Sequence, residues 1–293
     1  MAEFNPLTAG IKQESNPLQK FFRQPKVYIT LPSKGTFYPA GALDMPDTGE
    51  LPVFAMTAKD ELTFKTPDAL LNGQATVDVV KSCVPNIKDP WQMPSVDLDA
   101  ILIAIRIATY GENLEITTKV PGSGEEKEFT VDLRTLLNKL VTVEFDGVFE
   151  LNGMVVKLRP LTYKEFTQSN MKTFEEQRVF ALVNDDEMPD EEKLAKFNQS
   201  FQKLTSLTVD MLAKSIFSIT VEDTEVTNPQ HIQEFLQNTD KEFFNAVLEH
   251  LEEQKKKFEI EPLKVNSTDE DIEKGAPETF EVPITFDQSN FFA

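Results

Sequence analysis

From Lys26 onward apolar and polar residues alternate, with Val27, Ile29 and Leu31 on one side and Tyr28 and Thr30 on the other. This period-two pattern predicts a strand half buried against a core. A second short strand is predicted over Glu50 to Phe54, after the Gly- and Pro-rich bend from Pro39 to Gly49. Short helices follow around Lys59 to Phe64, Asp68 to Leu71 and Gln74 to Ser82, separated by Pro67 and Asn72-Gly73, and Pro85, Pro90 and Pro94 then impose a loop. The run Ala100 to Ala108 is apolar nearly all round, which predicts a buried helix with Asp97 or Asp99 as N-cap and Gly111 as its end. Arg106 inside that run is expected to pair with an acidic group or a backbone carbonyl.

Leu114 to Lys119 and Lys127 to Leu133 alternate across Pro121-Gly122-Ser123-Gly124 and read as a hairpin, and the turns Asp146-Gly147 and Asn152-Gly153 bracket predicted strands Val141 to Phe145 and Met154 to Leu158. The period changes at Thr162-Tyr163-Lys164-Glu165, a Ser/Thr-x-x-Glu capping box followed by Phe166, Met171, Phe174 and Val179 at helical spacing. Met188-Pro189-Asp190 starts another helix, carrying Leu194, Phe197, Phe201, Leu204, Leu207, Met211, Leu212 and Ile216 in one stripe. A small hairpin is predicted over Ile219 to Val226, a short helix from Asn228-Pro229 through Leu236, and a longer one capped by Asp240 with Phe243, Phe244, Val247, Leu248 and Leu251 inward. Beyond Pro262 lies a polar acidic stretch, Ser267 to Glu278, then alternating Phe280, Val282, Ile284 and Phe286, and finally Phe291-Phe292.

These patterns predict an α+β fold with flexible termini. Residues 1–25, with the steps Asn5-Pro6-Leu7 and Asn16-Pro17-Leu18, read as an extended arm; 26–160 as an α+β domain with the buried helix; 161–260 as a mainly helical domain; and 261–293 as an acidic tail with a terminal strand and a Phe-Phe end. No internal repeat is evident at this level.

Composition narrows the function. The chain has 293 residues, 40% of them hydrophobic and 23 of them Phe, enough apolar mass for real cores. Its 29 Lys and Arg against 49 Asp and Glu give a net charge of -20, which repels phosphate backbones and anionic lipid, so no nucleic-acid partner is expected. Met1 to Gly10 lacks the features of a signal peptide, and Ala100 to Ala108 is far short of the roughly 20 residues of a membrane span. Cys83 is the only cysteine, which excludes an internal disulfide and a cysteine zinc cage and suits a reducing cytoplasm.

The usual platforms for catalysis are missing from the sequence. His231 and His250 show no metal-ligand spacing, no phosphate-binding glycine motif or nucleophile elbow occurs, and the clusters Asp185-Asp186-Glu187 and Asp269-Glu270-Asp271 lack the pattern of a calcium loop. A hydrolase using Cys83 would need an activating base, and neither histidine is near it in sequence. The expectation is a non-enzymatic protein with no cofactor and no metal.

A string of elements carries a family resemblance: Leu31-Pro32-Ser33-Lys34-Gly35 with Tyr38, Met56-Thr57 followed by Asp60-Glu61, Leu70-Leu71-Asn72-Gly73, Ser82-Cys83-Val84, Leu102 to Arg106, and Tyr110-Gly111. Weaker similarity continues through Leu158-Arg159-Pro160-Leu161-Thr162, Ile232 to Leu236 and the terminal Asn290-Phe291-Phe292. Together they resemble the T4-type bacteriophage baseplate family, the hub subunits and hub-assembly proteins of contractile tails. The resemblance implies a virion protein, in the host cytoplasm during assembly, whose partners are hub or wedge, tail-tube or tape-measure proteins. A transient tail assembly chaperone is the alternative it leaves open. Some relatives carry a Cys-Pro-x-Cys-Gly knuckle where this chain has Val120-Pro121-Gly122-Ser123-Gly124, so any zinc site there is lost here.

Candidate partner-binding residues follow from exposure arguments. Pro32 and Gly35 shape a tight turn in which Leu31 and Tyr38 pack locally, and Leu31, Pro32 and Tyr38 remain candidates for contact with a neighbour. Phe291 and Phe292 need cover from the chain's own surface or from a partner. The strand with Phe280, Ile284 and Phe286 could complete a sheet in this molecule or in a partner.

Overall fold

In the computed structural model, which describes residues 16–66, 73–183, 189–284 and 291–292, the first alternating segment is β1 (Pro25–Ile29), paired antiparallel with β2 (Leu51–Phe54). Ile29 lies opposite Leu51 and Val27 opposite Val53, and all four side chains are buried while Tyr28 faces outward. Helix α1 (Ala58–Phe64) starts from a Thr57–Asp60 capping box, α2 (Gln74–Cys83) follows, and α3 (Leu98–Tyr110) crosses β1 and β2. Every residue of α3 from Ala100 to Ala108 is buried, as its all-round apolar pattern requires. The helix predicted over Asp68 to Leu71 lies outside the described residues.

Strands β3 (Asn113–Lys119) and β4 (Glu126–Asp132) form the predicted hairpin. The strand predicted over Val141 to Phe145 is absent: helix α4 (Leu133–Thr142) occupies its first half and 143–145 pairs with no strand. Leu133, Leu137 and Leu140 recur at i, i+4 and i+7 and are buried, and Asp132 caps the helix by accepting from Arg134 N at 2.8 Å. That helical stripe outweighs the β-branched Val141-Thr142-Val143 run.

Asn152 and Gly153, both at positive φ, turn β5 (Val148–Leu151) into β6 (Met154–Leu158). The chain then leaves the sheet for α5 (Tyr163–Val183) and α6 (Asp190–Ser215) and returns as β7 (Ile216–Val221) and β8 (Thr224–Val226). The sheet order is β5-β6-β7-β8, antiparallel throughout, so the two long helices are an insertion between neighbouring strands. The Thr162–Glu165 box starts α5 as predicted, with Glu165 N bonded to Thr162 Oγ1 at 3.2 Å and Thr162 N to Glu165 Oε2 at 2.9 Å. Helices α7 (Pro229–Asn238) and α8 (Lys241–Phe258) cover the sheet, capped by Asn228 and Asp240.

The acidic stretch after Pro262 is built into the fold. Strand β9 (Leu263–Asn266), the short helix α9 (Asp269–Glu273) and β10 (Thr279–Val282) form an antiparallel hairpin around a Thr268–Asp271 capping box. The predicted strand through Phe286 ends at Val282, and Phe286 lies outside the described residues.

Three apolar clusters organise these elements. The first joins β1, β2, α2, α3 and α4 and also takes in Phe291 and Phe292. The second joins β6, β7, the C-terminal end of α6, α7 and α8, so the apolar grouping does not divide at residue 160. The third, Val120, Ala276, Phe280 and Val282, seats the β9–β10 hairpin on β3–β4. The molecule is an α+β protein.

Candidate functional site

The segment Leu31 to Tyr38 is locked from beneath. Leu31, Pro32 and Ser33 are buried, Lys34, Gly35 and Phe37 take positive φ, and the turn closes through Lys34 N to Leu31 O at 2.9 Å. Asp97 holds it: Ser33 N donates to Oδ1 at 2.7 Å, and Ser33 Oγ and the Tyr38 hydroxyl donate to Oδ2 at 2.6 and 3.0 Å. Asp97 therefore stands at the N-cap position of α3 without its oxygens accepting from the first amides of the helix, contrary to the sequence expectation. Burial pushes its carboxyl up to about 6 although all three donors pull it down. Leu31, Pro32 and Tyr38 thus serve the fold from within, with only Tyr38 half exposed.

Cys83 sits at 0% exposure beside Arg23, Asp60 and Ser82. Arg23 donates to the Ala55 carbonyl, to Ser82 O and Oγ at 2.6 and 2.8 Å, and reaches Asp60 at 3.5 Å, pinning the segment before β1 to the first core. Burial and the neighbouring Asp60 charge push the Cys83 thiol up to about 12, against the pull of Arg23, so it is a protonated core residue. His231 is exposed, and His250 stacks on Phe149 at 4.8 Å and bonds Asp146 O at 2.7 Å; both are remote from Cys83 in the chain. Among the described residues no three His, Cys, Asp or Glu gather as a metal site would require.

The terminal phenylalanines are covered by the chain itself. Phe291 and Phe292 lie in the first core, Phe292 stacked on Phe64 at 4.7 Å and its carbonyl bonded by the Tyr110 hydroxyl at 3.2 Å. Arg106, one turn before Tyr110, lies over the Tyr110 ring at 4.6 Å, and its Nε and Nη1 make no hydrogen bond; the expected acidic or carbonyl partner is absent among the described residues. Burial accordingly lowers its pKa. Phe280 is buried against Phe129 in the third core, and Ile284 lines a cleft of about 310 Å³ between α4 and the chain after α8.

Apolar surface appears instead on α5 and α6. The two helices pack on each other, and polar groups take part in that contact: Ser200 is buried, and Lys203 crosses to Glu176 at 2.9 Å, holding that carboxyl below the usual range together with the Ser200 hydroxyl, while Leu204 and Leu207, one and two turns on from Ser200, are half-buried. Thr167 and Ser169 of α5 are also buried, Thr167 beside Gly73 at the start of α2. The outward positions carry the large apolar residues, Phe174 at 56%, Leu194 at 61% and Phe201 at 59% exposure, with Met171 and Phe197 also open. Only the C-terminal end of the α6 stripe, Leu212 and Ile216, reaches the second core. Large apolar side chains thus stay open on this hairpin while Ser200 is buried, which costs free energy in an isolated chain unless a further surface covers the rings.

A signal for this arrangement was present in the sequence. Phe166-Thr167-Gln168-Ser169 with Lys172 and Phe197-Asn198-Gln199-Ser200 with Lys203 share the spacing Phe-x-Gln-Ser-x-x-Lys, a repeat too short to stand out from hydrophobic periodicity. In both copies the serine is buried, and small inner residues let helices approach closely while the large ones turn out.

Over residues 43–280 the sequence matches the family described as T4 bacteriophage base plate protein. The chain belongs to this family. No curated protein and no solved structure matches it. As a phage baseplate protein it has a structural role, and no described helix is long and apolar enough to cross a membrane. The matched span contains the α5–α6 hairpin, Asp97 and the Val120 to Gly124 turn, and leaves Leu31 to Tyr38 and the terminal phenylalanines outside. In this baseplate protein the turn is held without thiols: Gly124 N bonds Val120 O at 2.9 Å, Val120 is buried beside Ala276, and Gly122 packs directly on the Gly275 carbonyl.

Proposed function

We propose that this baseplate protein is a hub structural or hub-assembly component that acts through protein interfaces, with the outward face of the α5–α6 hairpin as its principal docking surface. The observation that carries this reading is the set of large apolar side chains, Phe174, Leu194 and Phe201, left open on the hairpin while Ser200 and the Glu176 carboxylate are turned inward. Two helices tied at their roots to a sheet form a stiff platform, and apolar residues at i and i+7 on α6 suit an elongated partner such as a helix of a hub, wedge, tail-tube or tape-measure protein. The protein works on the baseplate in the virion tail and meets these partners in the host cytoplasm during assembly. Its chemistry is non-covalent, in keeping with a protonated, buried Cys83.

The test is co-expression with each tail protein of the same virus, comparing the wild type with Phe174→Ser/Phe201→Ser. Loss of one partner's co-purification, with the fold intact by circular dichroism, supports the reading; unchanged capture of every partner contradicts it. Purified virions separate the two fates: stoichiometric presence marks a hub component, and absence marks a transient chaperone that shields a hub or tape-measure protein.

A further inference from the structure

Charge is distributed unevenly along this chain. Residues 15–43 contain Lys20, Arg23, Lys26 and Lys34 and no acidic residue, so all 49 Asp and Glu of a chain with net charge -20 lie elsewhere. The described part of this segment is also rich in exposed rings. A 3-10 turn, Pro17–Phe21, presents Leu18 and Phe21, the latter 74% exposed, and Phe22 and Tyr28 stand open beside them. Lys20 lies over the Phe21 ring at 5.0 Å and Lys26 is exposed, whereas Lys34 is paired with Glu144 and Arg23 is spent on the first core. The Arg23 anchor and the β1 register fix the base of the patch. One edge of β1 pairs with β2, and the other has no partner strand among the described residues.

We infer that this patch is a second docking surface, separate from the α5–α6 hairpin, and that its occupant is an acidic face of a neighbouring baseplate protein. Lys20 over the Phe21 ring, and Lys26 on the exposed side of β1 with Tyr28, suit carboxylates set among apolar groups, in which cation, ring and salt-screened charge contacts combine. Nucleic acid fits worse, because a long polyanion would run past the acidic remainder of the chain and two lysines neutralise few phosphates. A bilayer fits worse because a five-residue 3-10 turn offers no amphipathic helix to lie in it. At physiological salt the field of the remaining acidic groups is screened beyond about 8 Å, so a compact acidic face can still close on the patch. The patch precedes the span matched by the family, so it is argued from this chain alone.

This inference rests on the baseplate reading, and its test separates the two. Wild type, Lys20→Glu/Lys26→Glu, Phe21→Ser/Phe22→Ser and Phe174→Ser/Phe201→Ser are immobilised as full chains and exposed to each purified tail protein of the virus, a single-stranded oligonucleotide and phosphatidylglycerol vesicles, at low and high salt. The expected result is an acidic protein partner whose affinity falls about tenfold in each of the first two double variants, with a weaker salt dependence after the lysine reversal and unchanged melting temperatures. Protein binding that depends only on Phe174 and Phe201 overturns this inference and leaves the baseplate reading intact. Binding of the oligonucleotide or the vesicles, lost on lysine reversal, overturns the choice of occupant. No binding of any tail protein by the wild type overturns both.

Discussion

Asp97 has no exposed surface and accepts three hydrogen bonds, yet its carboxyl is raised from 3.8 to about 6 because burial outweighs the donors. A carboxyl raised on folding stabilises the native state in its protonated form. Its contribution, about 3 kcal/mol, is complete below about pH 4 and is lost as pH rises through about 6. Asp97→Asn keeps an acceptor for Ser33 N and removes the charge. Its stability relative to wild type, from urea unfolding, is therefore expected to rise between pH 4 and pH 7, and a difference independent of pH would contradict the burial argument. Asp99, also raised to about 6 by burial, keeps part of the dependence in both proteins. For Cys83 the expectation is chemical: a thiol pushed up to about 12 resists a mild disulfide reagent in the native state and reacts only after unfolding. Rapid native labelling would reopen a nucleophilic role.

At the scale of elements, the docking of β9–β10 on β3–β4 depends on Gly122, which has a φ of 87° and no room for a side chain because the Gly275 carbonyl occupies the place of a Cβ. Gly122→Ala should lower stability by about 2 kcal/mol or more, and amide exchange should quicken first in β9 and β10. Protection unchanged in those strands would show that the hairpin docks by other means. Long, strongly periodic elements were legible in the sequence: β1, α3, the β3–β4 hairpin, α5 with its capping box and α8 follow from local pattern. Val141 to Phe145 reads as a strand because four β-branched or apolar residues imitate one while the leucine spacing that decides the matter begins eight residues earlier. The α5–α6 surface was legible only as a stripe. Which side of a stripe is buried depends on what packs against it, and here Ser200 is buried while the half-exposed Lys203 reaches across to Glu176.

Across the whole molecule, the chain closes on itself at one end and stays open on the hairpin. Phe291 and Phe292 return to the first core, so a sequence reading that counted them as docking candidates could not tell self-cover from partner cover, because their neighbours Phe64 and Tyr110 are remote in the chain. Phe292→Ala is expected to cost about 3 to 5 kcal/mol in urea unfolding. Unchanged stability with lost partner binding would instead make that ring an interface residue.

We propose a grip on other tail proteins along the outward face of α5 and α6 of this baseplate protein. Its most direct measurement is the affinity of the purified chain for each tail protein of its virus, before and after Phe174→Ser/Phe201→Ser. The account predicts one or more partners bound by the wild type, with at least a tenfold loss in the variant at unchanged melting temperature. Equal affinity in both proteins, or a wild type that binds no tail protein, would contradict it.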